Sequence, residues 1–312
     1  MPELPDIVVY IEALERRVLG ATVAGVRVVS PAVMRTYDPP YDAPTGRQVE
    51  SLHRVGKRIV FGFADDNERG GVSTSFTKRD SGLYLVIHLM VAGRLRWEAP
   101  GKAIPRKVGL AAFDFEEGSL ILTEQGTHKR AGIWLFRDWE GVESLDRGGI
   151  EPLEASTVDF AAALRAENRT LKRALTDPRI FSGIGNAYSD EILWSARLSP
   201  VKRTAQLSDE EMAALHEAVL GSLGHWTATL RDEVGDGWPT KVTAFRDDMA
   251  VHGKYGEECP RCGSKVQRIV YSANETNYCA TCQTGGKLLA DRSLSRLLKD
   301  DWPKTLEELE EA

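Results

Sequence analysis

The sequence predicts an α+β protein of several domains: an N-terminal helix and β-sandwich, then a helical domain, then a small cysteine finger. Three observations carry this. Apolar residues recur at helical spacing in "IVVYIEALERRVLG" and then give way to short β-type runs; helix-start signals return after residue 155; and all four cysteines of the 312-residue chain fall between Cys259 and Cys282. A chain of this length holds two or three domains, each able to bury a core.

In the first helix Ile7, Val8, Ile11, Leu14 and Val18 line one face, Asp6 is placed to cap the start, and Gly20 is a natural stop. The runs "ATVAGVRVVS", "RIVFGF", "LYLVIHL", "RLRWE", "LAAFDF", "SLILT" and "GIWLF" follow, strands spaced closely enough for a sandwich or barrel. The polar stretch "ADDNERGGVSTSFTKRDSG" interrupts them and reads as a mobile loop at residues 66–81. "DRGGIEPLEA" reads as a linker. Beyond it, Ser156 with Asp159 and Ser208 with Glu211 mark helix starts, the second ahead of Met212, Leu215, Val219 and Trp226. The expected division is 1–148 for the helix and sandwich, 149–250 for the helical domain, 251–290 for the finger and 291–312 for a charged tail.

Composition is that of an ordinary globular protein, 42% hydrophobic and 28% charged. There is no apolar run of membrane-spanning length and no secretory pattern, so a cytoplasmic location is expected, nucleoid-associated in a bacterium. The net charge of −6 runs against nucleic-acid binding, yet acid is concentrated in the terminal "LEELEEA", and basic clusters remain in "RVGKR", "HKR" and "LKR".

Three motifs carry chemistry. Two C-x2-C pairs, Cys259/Cys262 and Cys279/Cys282, are separated by sixteen residues that suit a two-stranded ribbon; four thiolates then close a tetrahedral zinc site with no open position, a structural zinc. In "FSGIGNAYSDE" two glycines precede a helix, exposing backbone N–H groups where a phosphate can sit, with Asn186 adding a side-chain contact; a plain helix packing joint has the same signature. At the start, "MPELPD" either begins a helix or is itself reactive: loss of Met1 leaves Pro2 as a secondary amine that can attack an electrophilic sugar carbon, beside Glu3 as a proton carrier.

With "MPELPD", "GIGNAYSDEIL", "VHGKYGEECPRCG" and "NETNYCATCQ" in view, the chain resembles the formamidopyrimidine-DNA glycosylase and endonuclease VIII family over almost its whole length. The resemblance implies a helix-two-turn-helix in the middle domain, a zinc-ribbon finger, damaged DNA as partner and a monomer. It implies Pro2 as nucleophile toward C1′ of a damaged nucleotide flipped out of the stack, Glu3 as acid/base, and Lys57 as a phosphate contact near the lesion. Asn186 corresponds to the family's phosphate-binding asparagine, and Lys172 lies in a similar "LKRALTD" segment. The activity so implied is a bifunctional DNA glycosylase and AP lyase of base-excision repair.

The sequence departs from that pattern where substrate choice is made. Val91 stands where the family carries a void-filling methionine, Ala131 where one branch inserts an aromatic, with Lys129 and Arg130 keeping the loop basic, and Asn274 where the finger tip carries an arginine. Trp238, in the segment "DGWPTKVTAFRDDMAVHG" that sits at the place of a lesion-sensing loop, is read as a packing anchor, with stacking on an extruded base as the alternative. These departures mark a distinct branch. Two other readings stay open: a damage-binding protein without chemistry, and a glycosylase directed to single-stranded or crosslinked DNA, for which a small wedge is no loss.

Overall fold

A computed structural model describes the chain except residues 65–81, 127, 241, 243–245, 272–273, 291–296, 298–302 and 312. The loop predicted at 66–81 lies outside the described residues. The chain forms two compact units, Met1–Arg147 with Thr227–Val242, and Gly148–Trp226 with Thr243–Ala312.

In the first unit, α1 (Leu4–Val18) buries Ile7, Tyr10, Leu14 and Val18 completely, and Gly20 at φ 79° turns the chain away. Two four-stranded antiparallel sheets follow. One has the order β2 (Val49–Val55), β3 (Arg58–Phe63), β4 (Leu83–His88), β8 (Gly132–Phe136). The other has the order β1 (Gly25–Val28), β6 (Gly109–Asp114), β7 (Ser119–Glu124), β5 (Gly93–Glu98). One apolar cluster joins α1 to both sheets, including Ile59, Phe61, Leu85, Ile87, Leu120 and Leu122. A short α2 (Trp139–Glu143) covers a second cluster around Val60, Tyr84 and Val86. The strand missing from the apolar runs is β2; its "VESLHRV" has a buried residue only every third position, so no continuous run announces it.

The second unit packs α3 (Thr157–Arg165), α4 (Leu171–Thr176) and α5 (Asn186–Ser195) with the first part of α6 (Asp209–Val234). Its starts are capped as the sequence indicates. Ser156 Oγ accepts the Asp159 N–H at 3.1 Å, and Ser208 and Glu211 exchange bonds of 3.0 and 3.2 Å. The finger is the hairpin β9 (Val266–Tyr271) and β10 (Asn274–Cys279), followed by α7 (Ala280–Thr284). The charge of the tail does not keep it off the finger: the Leu288 N–H donates to the Lys304 carbonyl, the Leu306 N–H donates to the Gly286 carbonyl, and Leu306, at the start of α8 (Leu306–Glu311), packs on the finger cluster of Ile269, Tyr278 and Leu288. Leu306 is the apolar residue of this acidic helix that the finger covers, while Leu309 stays exposed.

The last turns of α6 and the residues after it belong to the first unit, where α1 grips them. Arg231 pairs with Glu12 at 2.6 Å, and Arg16 and Arg17 donate to the carbonyls of Gly235, Asp236 and Gly237. Trp238 ends this latch: its indole N–H donates to the Leu95 carbonyl at 2.9 Å, and its ring lies 5.7 Å from Tyr10 and 6.2 Å from Trp97. Trp238 is thus a packing anchor, with its polar edge already committed. Trp238→Ala is expected to lower the stability of this unit by about 2–3 kcal/mol, read from urea unfolding, while zinc content stays at the wild-type level.

Candidate functional site

The terminus is built as a buried, capped helix start. Glu3, 2% exposed, is the N-cap of α1 with extended backbone, and its N–H donates to Asp6 Oδ2 at 2.8 Å in a capping box. Asp6 is therefore the partner of the cap and not the cap itself. Pro5 falls in the first turn, where its missing N–H leaves no bond unmade, so the second proline of "MPELPD" stiffens the path at no cost. Burial is the main reason that Asp6 is raised to about 7, with the negative Glu3 adding to it and the bond from the Glu3 amide opposing it.

Two cations face the same terminus. Lys57 sits in the two-residue turn between the paired residues Val55 and Arg58, where Gly56 takes φ 62°. Arg94 is the second residue of β5. The terminal amine, carried here by Met1, is lowered by burial first; Glu3 and Asp6 oppose this, while Arg94 and Lys57 add to it. Pro2 is buried at the head of the same group. His88, paired with Arg58 across β3 and β4, is pushed down to about 4 by burial and by Arg58 and Lys57, so it is neutral at physiological pH and adds no charge. The sequence pointed to Pro2, Glu3 and Lys57; nothing in "GRLRWE" sets Arg94 apart from Arg96, two residues along the same strand.

The two wedge candidates separate. Val91 is 57% exposed on a tight turn in which Met90 takes φ 52° and the Gly93 N–H donates to the Leu89 carbonyl at 2.9 Å. A Cβ on Gly93 would lie 2.2 Å from that carbonyl oxygen, so the turn requires glycine there. Ala131, by contrast, is 1% exposed in the sandwich core, which corrects its reading as a void filler. Its N–H and that of Arg130 donate to buried Glu124 Oε2 at 3.0 and 2.8 Å, and Arg35 donates to the carbonyls of both residues at 3.1 Å. His128, Lys129 and Arg130 remain exposed, with the Lys129 ammonium donating to the Glu124 carbonyl.

In the second unit, Asn186 opens α5 after Gly185, and its Nδ2 donates to the Glu275 carbonyl of β10 at 2.8 Å. Lys172 is buried, donating to the Asn186 carbonyl at 2.6 Å and to Asp190 at 2.5 Å, while His252 Nδ1 meets the other Asp190 oxygen at 2.7 Å. Lys172 is therefore a strut under Asn186, which corrects its reading as a direct DNA contact. Neighbouring Glu191 accepts the N–H groups of Ala250, Val251 and His252. The Asn274 side chain lies outside the described residues. A cavity of about 490 Å³ in this unit is lined by Glu191, Asp247, Asp248, Glu257 and Glu258 among others, an acidic wall unsuited to phosphate.

The four cysteine sulfurs lie within 4.8 Å of one another, with Cys259–Cys282 at 3.9 Å and Cys262–Cys279 at 3.4 Å. Zinc–thiolate bonds of about 2.3 Å in a tetrahedron set sulfurs about 3.8 Å apart, so the four fit one structural zinc. Trp194 Nε1 donates to Cys259 Sγ at 3.3 Å, and Arg261 lies 4.0 Å over the Trp194 ring.

Comparison with known proteins gives the family. Residues 1–128 match the formamidopyrimidine-DNA glycosylase N-terminal domain, 149–225 its H2TH domain, and 256–285 the zinc finger found in FPG and IleRS. The formamidopyrimidine-DNA glycosylase of Chloroflexus aurantiacus is 31% identical over 91% of this chain and 98% of its own length. An uncharacterized formamidopyrimidine-DNA glycosylase-like protein of Mycobacterium tuberculosis is 41% identical over 48% of this chain and 94% of its own. The Lactococcus lactis Fpg solved with DNA containing an oxidized pyrimidine is 26% identical with a TM-score of 0.74, covering 91% of this chain and 100% of that one. The chain belongs to the formamidopyrimidine-DNA glycosylase family. It is, accordingly, a DNA glycosylase of base repair. Among the described residues no helix is long and apolar enough to cross a membrane.

Two outcomes follow from this geometry. Chelation should release one zinc per chain and change the fluorescence of Trp194, with Cys279→Ser reproducing both effects; metal analysis and emission spectra check this. For Asp6, the folded value of about 7 lies above the ordinary carboxylate value of 3.8, so the folded state favours the protonated form and loses that advantage as pH rises between the two. Relative to Asp6→Asn, the wild type should lose about 2–4 kcal/mol between pH 4 and pH 8 in urea unfolding.

Proposed function

We propose that this chain excises an oxidised base from DNA through a Schiff base on Pro2 and then cuts the strand at the abasic site, acting as a monomer. The observation that carries the reading is the buried helix start, where Pro2 and Glu3 share one group with Lys57 and Arg94. The Lactococcus lactis relative has been solved with Fapy-dG, abasic-site and oxidized-pyrimidine DNA, which supports this substrate class.

Removal of Met1 passes the free amine to Pro2. The neutral nitrogen attacks C1′; the base departs with the electron pair of the glycosidic bond and takes up the proton that the Pro2 nitrogen, cationic after attack, gives up. Glu3 protonates the sugar ring oxygen as that ring opens, leaving an iminium ion, since a secondary amine has no further proton to lose. The iminium acidifies the adjacent C2′, and loss of that proton expels the 3′ phosphate. Lys57 and Arg130 serve the flanking phosphates, and Asn186, propped by Lys172, offers its amide to the backbone.

A second reading, preference for single-stranded or crosslinked DNA, is favoured by one observation: Ala131 is withdrawn into the core, and Val91 alone of the two wedge positions is exposed. Comparing rates on single-stranded and duplex lesions separates the two.

Cyanoborohydride trapping on abasic-site DNA is expected to give a covalent adduct mapped to Pro2 in protein whose mass shows loss of Met1. Retained Met1 should abolish the adduct, Pro2→Gly should slow trapping, and Glu3→Gln should slow base excision by about 100-fold. DNA binding without any adduct in the processed protein sinks the reading.

A further inference from the structure

His252 has no part in the chemistry described above, yet both ends of it are committed. It is 7% exposed and meets two carboxylates of α5: its N–H donates to Glu191 Oε1 at 2.9 Å, and its Nδ1 lies 2.7 Å from Asp190 Oδ2. Lys172 of α4 holds the other Asp190 oxygen, so that carboxylate accepts on both sides and the ring nitrogen facing it carries the proton.

Two routes lead from His252 to Asn186. The first runs through Asp190 and Lys172 to the Asn186 carbonyl, which accepts from the ammonium at 2.6 Å. The second leaves from the next residue: the Gly253 N–H donates to Asn277 Oδ1 at 2.9 Å, Asn277 Nδ2 donates to Glu275 Oε1 at 2.7 Å, and the Glu275 carbonyl accepts from Asn186 Nδ2 at 2.8 Å. Together they close a ring of hydrogen bonds that grips the main chain and the side chain of Asn186 separately. Asn186 itself is half-buried. Its Nδ2 has two hydrogens and the Glu275 carbonyl uses one, which leaves the second for a phosphate.

We propose that His252 is a positioning residue for DNA binding: its ring N–H, acting through Asp190 and Lys172, fixes the direction in which the Asn186 amide meets a backbone phosphate. The proposal rests on the reading of Asn186 as a phosphate contact.

The ring is needed because a buried carboxylate oxygen without a donor is costly. With Oδ2 unserved, Asp190 would draw the Lys172 ammonium across both of its oxygens and away from the Asn186 carbonyl. With His252 on Oδ2, the ammonium serves Oδ1 alone and stays on that carbonyl. The task asks for a donor of fixed direction, which a ring N–H supplies with or without a charge.

The test uses the full zinc-loaded chain and measures the Kd for duplex DNA carrying a tetrahydrofuran abasic analogue, with the rate of cyanoborohydride trapping on saturating abasic DNA alongside. Asn186→Ala should weaken binding about tenfold, the worth of one hydrogen bond to a charged group. His252→Phe should weaken it about fivefold, in Kd and not in the saturated trapping rate. His252→Asn, whose Nδ2 stands at the place of the ring Nδ1, should restore most of the loss. The double variant His252→Phe/Asn186→Ala should bind no worse than Asn186→Ala, because a residue that acts only through Asn186 has nothing further to lose. Additive losses overturn the proposal by showing that His252 only supports the fold of the unit, and so does a folded His252→Phe protein that binds like wild type. Where zinc content or urea unfolding shows that His252→Phe has lost its fold, Asp190→Asn, of the same shape with one acceptor fewer, takes its place in the cycle with the same expectations. Wild-type affinity in Asn186→Ala overturns the parent reading of Asn186 and this proposal with it, while the adduct at Pro2 is read separately.

Discussion

The start of α1 has to be buried and held still while it keeps ionisable groups, and the bond from the Glu3 N–H to the Asp6 carboxyl at 2.8 Å is what reconciles these demands. A frayed terminus would leave an amine and a glutamate sampling many positions. The capping box stops the fraying, and the core faces of Ile7, Tyr10 and Leu14 anchor the helix to the sheets.

The second unit solves an analogous problem with two adjacent buried acids. Asp190 takes Lys172 and His252 on its two oxygens, and Glu191 takes three consecutive backbone N–H groups. Buried charges are costly unless paired and hydrogen-bonded, and here each oxygen has a partner. The gain is geometric. Through Lys172 and through the Glu275 carbonyl, Asn186 is held from both sides, and Gly253 donates to Asn277 Oδ1 at 2.9 Å, joining the segment before the finger to β10.

This arrangement also bears on the net charge of −6, which by itself argues against DNA. Glu3, Asp6, Glu124, Asp190 and Glu191 are all buried, against Lys172 alone among the fully buried lysines and arginines of the described residues. Much acid is therefore consumed inside, holding backbone amides and internal cations, while His128, Lys129 and Arg130 stay exposed. A sum over the sequence counts both populations alike, whereas a phosphate backbone meets only the second.

The sequence alone determined what is local. Helical spacing and capping signals placed α1, α3 and α6, and the two cysteine pairs with sixteen residues between them specified a metal-closed hairpin, because each depends on neighbours a few residues apart. The motifs around Pro2, Glu3, Lys57 and Asn186 marked them as candidates, and the structure places Pro2 and Glu3 at the buried start of α1, Lys57 in the β2–β3 turn and Asn186 at the start of α5. Tertiary structure decided what depends on partners far along the chain: that Ala131 is core and Val91 is not, that Lys172 is a strut, that Trp238 is tied to Leu95, and that Leu306 docks on the finger.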